Sequence, residues 1–462
     1  MLDALTVADA ARRVARRELS PVELTRHCLA RIEAVDDRLK SFLLLRPEAA
    51  LAAAAAAERE IMHGRYRGPL HGIPIAHKDI FCTAGIRTTA HSRLLADFVP
   101  TEDATVVRRL DEAGAIMLGK LATHEFAIGG PSFDLPWPPP RNPWNTAHFT
   151  GGSSSGTGAA VAAGLVLGGS GSDTGGSIRL PAAYCGVSGL KPTYGRVSRH
   201  GVLPLAYSLD HAGPLAWTVE DCAILLQAMA GHDPRDPASA ELPVPDYRAG
   251  LRDDLRGVRI GVARQFFAAG SHVSAEALAA IDAALSVMAG LGAELRELRL
   301  APPEDYGACG WIILFSEAWS VHERGLRARF FDYGRIMRNR VSLGAFLSSA
   351  DYLQAVRLRR VLIGEMRAAM ADVDVLVTAV TPGPAPALDD LPSFASFERP
   401  MTMPFNVTGQ PALALRCGFS ADGLPLSFQI AGKPFDEATV LRVGHAYERA
   451  TEWHRQRPKL GL

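Results

Sequence analysis

Hydrophobic and polar positions alternate along the chain with two different periods. Short apolar runs are typical of strands buried inside a sheet, and the predicted strands are AIMLGK (115–120), VRIGVA (258–263), residues 293–299 and VDVLVTAV (373–380). The segments between them have helical spacing, and the predicted helices are TVVRRLDEAG (105–114), AAVAAGLV (159–166) and residues 274–289. Strands that alternate with helices predict an α/β fold.

The two ends of the chain add further elements. Ser20, Pro21 and Glu23 form a helix-start signature, with serine at the N-cap and proline at the first helical position. Residues 47–63 predict an alanine-rich helix. Near the C-terminus, two apolar segments flank Ala421-Asp422-Gly423, a hairpin signal, and a last helix follows. The predicted fold is a single large α/β domain with a central twisted mixed β-sheet covered by helices on both faces.

The domain organisation follows from what interrupts these elements. Two proline-rich stretches, residues 131–143 and TPGPAPALDDLP, cannot be regular structure, but patterned chain resumes at once after each, so neither is a domain linker. No internal repeat is visible. We therefore expect one domain over residues 1–462, with N-terminal helices to about residue 65. A catalytic core over about 66–230 and a substrate-side and C-terminal part over about 231–462 complete it.

Composition and charge exclude several classes of protein. The chain has 462 residues, of which 48% are hydrophobic, and its 49 Lys and Arg balance 49 Asp and Glu, so no net field attracts nucleic acid or an anionic membrane. The six cysteines are scattered singly, which argues against a disulfide framework or a structural zinc site. No signal peptide and no long apolar span are visible, so we expect a cytoplasmic protein. No His, Cys or carboxylate set has ligand spacing, and we expect neither a metal nor a cofactor.

Several short motifs would each assign a different function to the serine-rich or glycine-rich segments. Residues 152–156 (GSSSG) satisfy the GxSxG pattern of α/β-hydrolases, but the stretch before them is a poor strand. Residues 188–191 (SGLK) satisfy SxxK without its partner KTG box. The glycine-rich stretch 168–181 lacks the ending of a phosphate loop. Each of these short patterns is a weak indication of function.

The glycine-rich stretches are more informative when they are taken with their flanks. GGSSSGTG runs into AAVAAGLV, and SDTGGS runs into IRLPAAYCG, so both are predicted as loops that open helices. Backbone N–H groups at the start of a helix lack partners within the helix. This placement favours a functional loop over a flexible linker.

Three separated segments together resemble the amidase signature family. They are GIPIAHKD with Lys78, GGSSSGTGAAVAAG with Ser153, and GSDTGGSIRLPAAYCG with Ser177, and the spacings of 75 and 24 residues are similar to those of the family. The likeness continues through GLKPTYGRVSRHGVLPLAYSLDHAGPLAW and PFNVTGQPALALRCGF. It covers nearly the whole chain and is weakest from about residue 240 to 370.

The resemblance implies a Ser–cis-Ser–Lys triad that works through an acyl-enzyme. Ser177 would be the nucleophile, Ser153 the bridging serine in a cis peptide after Gly152, and Lys78 the base. A serine hydroxyl needs an adjacent base, and lysine can serve only when burial lowers its pKa. The apolar run 73–76 before Lys78 would supply that burial.

The resemblance also implies how the loop before Ser177 would act. The backbone N–H groups of an oxyanion hole would face the acyl oxygen as it becomes negative, and the residues predicted to supply them are Thr174, Gly175, Gly176 and Ser177. Asp173 and Arg179 are predicted to form a local ion pair that holds this loop.

A comparison with one branch of the family separates two functions. The A subunit of glutamyl-tRNA amidotransferase shares the SDTGGSIR and GLKPTYGRVSR stretches, but it has an acidic residue where this chain has Arg399. Its RFDGIRYG-like segment is also replaced here, by WIILFSEAWSVHERGL. We therefore expect a stand-alone amidase that cleaves C–N bonds without partner chains or nucleic acid, as a monomer or homodimer. The alternative is the A subunit of a tRNA-dependent amidotransferase.

The substrate side is predicted from residues near the implied triad. The substrate-binding residues predicted there are Phe126, Ile128, Gly129, Gly130, Trp137 and Thr150. The insertion PSFDLPWPPP and the region between Trp311 and Trp319 are expected to line or cover the pocket. An apolar pocket would suit small-molecule amides, carbamates or esters. For Phe126, a place in the hydrophobic core is an equally good interpretation.

Overall fold

One large mixed sheet organises the molecule. The computed structural model describes residues 2, 4–268, 272–389 and 401–461. Within these residues the sheet has eleven strands. They are β1 (Phe42–Leu45), β2 (Pro74–Lys78), β3 (Ile116–Leu121), β4 (Gly168–Asp173), β5 (Ser188–Lys191), β6 (His211–Ala216), β7 (Arg259–Val262), β8 (Glu294–Glu297), β9 (Val375–Ala379), β10 (Ala412–Phe419) and β11 (Pro425–Gly432).

The strand order is β1-β3-β2-β4-β6-β5-β10-β11-β9-β7-β8. Strand β2 is parallel to both β3 and β4, and β7 is parallel to both β8 and β9. Antiparallel pairs join these two parallel groups through β6, β5, β10 and β11. The predicted mixed sheet in a single α/β domain is confirmed.

Helices flank the sheet. They are α1 (Val7–Ala15), α2 (Pro21–Leu39), α3 (Pro47–Met62), α4 (Thr105–Glu112), α5 (Ser155–Ala162), α6 (Arg179–Cys185), α7 (Val219–Met229), α8 (Ala275–Gly290), α9 (Pro303–Arg329), α10 (Arg335–Val341), α11 (Ser349–Ala369), α12 (Met403–Val407) and α13 (Glu437–Arg449). Helices α5 and α6 pack against each other and against the strands at the middle of the sheet. No described helix combines the length and the apolar character needed to cross a bilayer.

Most predicted elements are present, with shifted ends. The Ser20 side chain caps α2 by accepting the N–H groups of Val22 and Glu23, as the sequence predicts. The alanine-rich helix ends at Met62, and Gly64 follows with a φ of +80°. The C-terminal hairpin is formed by β10 and β11.

The stretch GGSGSD is a strand, which the sequence analysis predicted as part of a loop. It forms β4, buried along its whole length between β2 and β6. A β-carbon on Gly169 would lie 2.8 Å from the Ala76 carbonyl oxygen, and one on Gly171 would lie 2.5 Å from a Leu215 methyl group. Glycine is therefore required at these two positions, because the neighbouring residues leave no room for a side chain. The predicted loop shrinks to residues 174–178, between β4 and α6.

Candidate active site

Lys78 ends strand β2 and is completely buried. Its side-chain nitrogen Nζ lies 2.7 Å from Ser153 Oγ, 2.8 Å from Ser172 Oγ and 3.1 Å from Ser154 Oγ. All three serines are themselves buried. The structure thus brings Lys78 and Ser153 together, as the sequence analysis predicted, inside a cluster of hydroxyl groups.

Burial sets the charge state of this lysine. Removal from water lowers the pKa of Lys78 to about 7, while the more distant carboxylates of Asp173 and Asp210 act in the opposite direction. Its neighbour Asp79 does not pair with it, because the Asp79 carboxylate lies 3.4 Å from Lys120 Nζ. A substantial neutral fraction of Lys78 is therefore present near pH 7, and a neutral amine can accept a proton.

Ser153 lies in the loop that leads into α5. The peptide bond between Gly152 and Ser153 is cis, and the Ser153 carbonyl accepts the N–H of His124 at 3.0 Å. A β-carbon on Gly152 would lie 2.0 Å from His124 Cε1, so only glycine fits beside this ring. The residues before the loop, 143–150, form no strand, which leaves the GxSxG motif without the strand that an α/β-hydrolase elbow requires.

Ser177 lies in the short loop between β4 and α6 and is half-buried. Its carbonyl accepts the N–H of Ser154 at 3.2 Å, which ties the two serine loops together. Its side chain borders the same cavity as Ser153. The three residues implied by the family resemblance therefore lie around one site.

A buried ion pair holds the Ser177 loop. Arg179 Nη2 lies 3.0 Å from Asp173 Oδ1, and neither side chain is exposed to solvent. Burial alone would raise the pKa of Asp173, but the pairing with Arg179 and a hydrogen bond from Asn406 hold it well below its usual range. The predicted ion pair is present, and the Asp173 carboxyl is ionised at neutral pH.

One of the four predicted oxyanion donors is already engaged. The Gly176 N–H donates to Asp173 Oδ1 at 2.7 Å. This hydrogen bond removes Gly176 from the predicted set, because a backbone N–H directed at a carboxylate does not face the acyl oxygen. Thr174, Gly175 and Ser177 remain predicted donors, and all three border the cavity described below.

A cavity of about 500 Å³ opens over Ser153 and Ser177 and is called the serine cavity below. Of the six predicted substrate-binding residues, Ile128 and Gly129 line it. Its walls are mainly apolar and aromatic, and the side chains that form most of them are Phe149, Leu180, Tyr184, Leu205, Trp311, Leu314, Val380 and Met401. The cavity therefore favours an apolar group next to the reacting bond.

The other four predicted substrate-binding residues have other positions in the described structure. Phe126 lies in the hydrophobic core, with its ring 4.6 Å from the centre of the His322 ring. Trp137 is half-buried, and its carbonyl lies 2.9 Å from His91 Nε2. Thr150 donates its hydroxyl to the Gly151 carbonyl at 2.9 Å. Gly130 is buried, and none of the four is among the residues lining the serine cavity.

The two proline-rich segments differ in their relation to the serine cavity. Of the described residues, none in 131–143 lines the serine cavity, whereas Pro382, Gly383, Pro384 and Pro386 from the second proline-rich stretch do. The Phe149 N–H donates to the Pro386 carbonyl at 2.9 Å and holds this stretch beside the loop of Ser153. Arg399, the residue on which the sequence analysis separated two functions, lies outside the described residues.

Three basic residues in the wall, including His272, were not predicted. His124 and Arg340 line the serine cavity, and His124 stacks on Phe149 at 5.8 Å between ring centres. Burial lowers the pKa of His124 to about 3, so this ring is neutral. Arg340 is carried by α10, far from the serine segments in sequence, and no local motif marks it. Among the described residues no group of three or more His, Cys, Asp or Glu side chains is arranged to hold a metal ion.

A second cavity of about 690 Å³ adjoins the serine cavity. It shares Ala127, Thr174 and Leu205 with the serine cavity, and Ser172 is part of its wall. Ser172 therefore lies between Lys78 and this second cavity.

Comparison with known proteins places this geometry in context. The sequence profile of the Amidase family matches residues 23–441. The chain is 44% identical to the A subunit of the glutamyl-tRNA(Gln) amidotransferase of Chloroflexus aggregans, over 99% of this chain and 98% of that one. The peptide amidase of Stenotrophomonas maltophilia has a TM-score of 0.85 and 33% identity, with 99% of both chains covered.

A third match is an inhibitor-bound structure described as a vestigial protein complex in the origin of an s-triazine catabolic enzyme. Its TM-score is 0.89 at 33% identity, with 96% of this chain and 98% of that chain covered. The sequence relatives favour the amidotransferase component, which the sequence analysis held as its alternative, over the stand-alone hydrolase.

Proposed function

Because this chain belongs to the amidase family, we propose that it cleaves the C–N bond of amides by acyl transfer to Ser177. The observation that carries the proposal is the 2.7 Å hydrogen bond between Lys78 Nζ and Ser153 Oγ, made at the edge of the cavity that Ser177 also borders. A buried amine beside a bridging hydroxyl is the arrangement that a serine nucleophile needs for activation.

The residues would act in two stages. In the first, Ser177 Oγ attacks the amide carbon while its proton passes to Ser153, whose own proton passes to neutral Lys78. The C–N bond then breaks, the departing nitrogen takes the proton back through Ser153, and an ester on Ser177 remains. In the second stage a water molecule attacks this ester and its proton passes through Ser153 to Lys78. The acid is then released as Ser177 Oγ departs and takes this proton back through Ser153, which leaves Lys78 neutral again.

As Ser177 attacks, the carbonyl oxygen of the substrate becomes negatively charged, and this oxygen needs hydrogen-bond donors. The backbone N–H groups of Thr174, Gly175 and Ser177 are our candidates, since the loop that carries them is held by the Asp173–Arg179 pair. A preorganised set of donors stabilises the tetrahedral intermediate, and loss of one such donor costs about 10²- to 10³-fold in kcat in other serine enzymes.

The test is covalent labelling at the nucleophile. A fluorophosphonate probe should label the wild-type protein at Ser177, and Ser177→Ala should lose both labelling and amide turnover while it keeps its unfolding transition. Peptide mapping identifies the labelled residue. A label on Ser154 in the wild-type protein would refute the proposal and would favour the GxSxG elbow.

A second candidate function is a component role in an amidotransferase. The observation that favours it is the 44% identity to the A subunit of the Chloroflexus aggregans glutamyl-tRNA(Gln) amidotransferase over almost the whole of both chains. The cleavage at Ser177 would be the same in both cases, and the difference would lie in the need for partner chains and tRNA.

An activity assay of the purified chain without other proteins distinguishes the two candidate functions. Turnover of glutamine, anilides or aliphatic amides without partners, ATP or tRNA would support the stand-alone amidase. Turnover of carbamates or esters under the same conditions would add a urethanase or esterase side activity. Turnover that requires partner chains would support the component role. The apolar walls of the serine cavity lead us to expect faster turnover of aryl and branched acyl amides than of glutamine.

A further inference from the structure

Lys78 Nζ has three hydroxyl neighbours, but the proposed reaction uses only one of them. Ser153 lies on the proton path, whereas Ser154 and Ser172 are also buried and have no assigned role. Their distances from Nζ, 3.1 Å and 2.8 Å, are ordinary hydrogen-bond lengths. The protons available at each of these atoms decide what the two hydroxyls can do.

The proton of Ser154 is already committed. Its Oγ donates to the Ser172 carbonyl at 3.3 Å and accepts the Ser172 N–H at 3.3 Å. A hydroxyl has one proton and two lone pairs. Toward Lys78, therefore, Ser154 can only accept. Ser154 is also the N-cap residue of α5, but its side chain makes no capping hydrogen bond.

Ser172 is the remaining hydroxyl neighbour of Lys78. Its Oγ lies 2.8 Å from Lys78 Nζ, and its side chain borders the second cavity. The Ser172 hydroxyl has two lone pairs besides its proton, so its oxygen can accept from the lysine. Ser172 is thus placed to accept a second N–H from Nζ.

A neutral lysine amine has two N–H bonds and one lone pair. With Ser154 and Ser172 accepting the two N–H bonds, the lone pair is left for the third neighbour. We propose that Ser154 and Ser172 are positioning residues that direct the lone pair of neutral Lys78 at Ser153. This inference rests on the proposed function, in which Lys78 is the base.

The same arrangement serves both protonation states. When Lys78 has taken the proton, its third N–H points at Ser153 Oγ, and the other two keep their acceptors. The proton can then return to Ser153 without a rotation of the lysine side chain. The two hydroxyls thereby lower the reorganisation that each transfer requires.

Single variants at the two serines test the proposal. Ser172→Ala and Ser154→Ala should each lower kcat about tenfold with little change in KM, because each loses one acceptor of a hydrogen bond to a buried amine. The ammonium form loses more than the neutral form, so the acid limb of the kcat/KM profile should move about one pH unit lower. Ser172→Thr keeps the hydroxyl beside the second cavity and should restore most of the lost kcat.

The matched control is Thr157→Val. Thr157 is buried in α5 and donates to the Ser170 carbonyl at 3.1 Å, and it is not among the hydrogen-bond partners of Lys78. This variant loses a buried hydrogen bond and should lower the free energy of unfolding without moving the acid limb. A purely structural role for Ser154 and Ser172 would give the same result as this control.

A direct measurement keeps the test independent of activity. NMR titration of ¹³C-labelled lysine should show a lower pKa for Lys78 in Ser172→Ala than in the wild-type protein. An unchanged lysine titration together with an unchanged kcat in both serine variants would overturn the positioning role. Failure of the proposed function would look different, since Lys78→Met would then retain activity.

Discussion

Asp173 and Arg179 form a completely buried ion pair at the two ends of the loop that carries Ser177. Besides the carboxylate, the Arg179 guanidinium donates to the Thr402 carbonyl at 2.9 Å and to Asn406 Oδ1 at 2.6 Å. The Asp173 carboxylate also accepts the Ile178 N–H at 3.1 Å. The pair therefore connects the loop to α12 as well as closing it, and this connection fixes where Ser177 lies.

The first prediction concerns this pair. Asp173→Asn should lower the free energy of unfolding by about 3–5 kcal/mol, because it leaves the buried Arg179 charge without a counterion. Urea unfolding monitored by circular dichroism measures the change. The control is Glu323→Gln, which removes one partner of an exposed pair with Arg327 and should have little effect. Equal effects of the two substitutions would contradict this account.

The second prediction is a pH profile. Since burial lowers the pKa of Lys78 to about 7, the base is protonated below that pH and neutral above it. The kcat/KM value should therefore fall as the pH decreases through about 7 and level off at higher pH. Initial rates from acidic to alkaline buffers, on either side of this pKa, check the expectation.

Lys78→Met extends the same argument to the leaving group. The variant should lose amide turnover more than ester turnover, because an amine must be protonated as it departs and an alkoxide needs this much less. The measurement is the ratio of amide to ester hydrolysis in the variant and the wild-type protein. A constant ratio with a flat pH profile would mean that Lys78 is only structural.

The third prediction concerns the wall of the serine cavity. Trp311 lines the cavity and stacks on Phe315, with 5.7 Å between ring centres. Trp311→Ala should raise KM for small acyl amides about tenfold, through lost apolar contact, and should favour bulkier acyl groups. Trp319→Ala on the same helix is the control, since Trp319 is outside the wall and lies under Arg327. A parallel change in both variants would exclude a specific role for Trp311.

The fourth prediction is the pH dependence of stability. Burial raises the pKa of Glu448 to about 8, far above that of a glutamate in the unfolded chain. The folded state thus holds a proton that the unfolded state has released, and the free energy of unfolding should decrease as the pH rises from about 5 to 8.

Glu448→Gln should remove this part of the pH dependence and leave the variant more stable than the wild-type protein above the Glu448 pKa. Its amide oxygen can still accept the Val219 N–H that Glu448 binds at 3.1 Å. Urea unfolding at about pH 5 and about pH 9 tests the expectation, with the exposed Glu452→Gln as the control. If the wild-type stability did not change over this range, the raised pKa would be refuted.

The sequence predicted those parts of the site that depend on local pattern. The apolar run before Lys78 indicated a buried strand, and β2 buries this lysine along with its neighbours. The strand GGSGSD was missed, because a strand of glycine and serine lacks the branched and aromatic residues on which strand prediction relies. Its conformation is set by the layers packed around it, where Ala76 and Leu215 exclude a β-carbon.

The substrate side was predicted less well, for a related reason. Phe126 was predicted either in the pocket or in the hydrophobic core, and its neighbours in space are His322 and Tyr333, much later in the chain. Trp311 lies in a region that was predicted to line or cover the pocket, whereas Arg340 and Pro382 were not predicted and reach the serine cavity only through the arrangement of α10 and the segment after β9. Single-sequence periodicity carries no information on which distant elements meet.

The origin of the cavity walls also bears on how such a protein can change. Lys78, Ser153 and Ser177 all lie between β2 and α6, whereas much of the wall comes from residues 311–402. The three triad residues are therefore encoded in one stretch of the gene, and the wall is shared between that stretch and a later one. Recombination between relatives in the region after β6 can replace the later part of the wall while the hydroxyl cluster around Lys78 and the earlier wall residues are inherited intact.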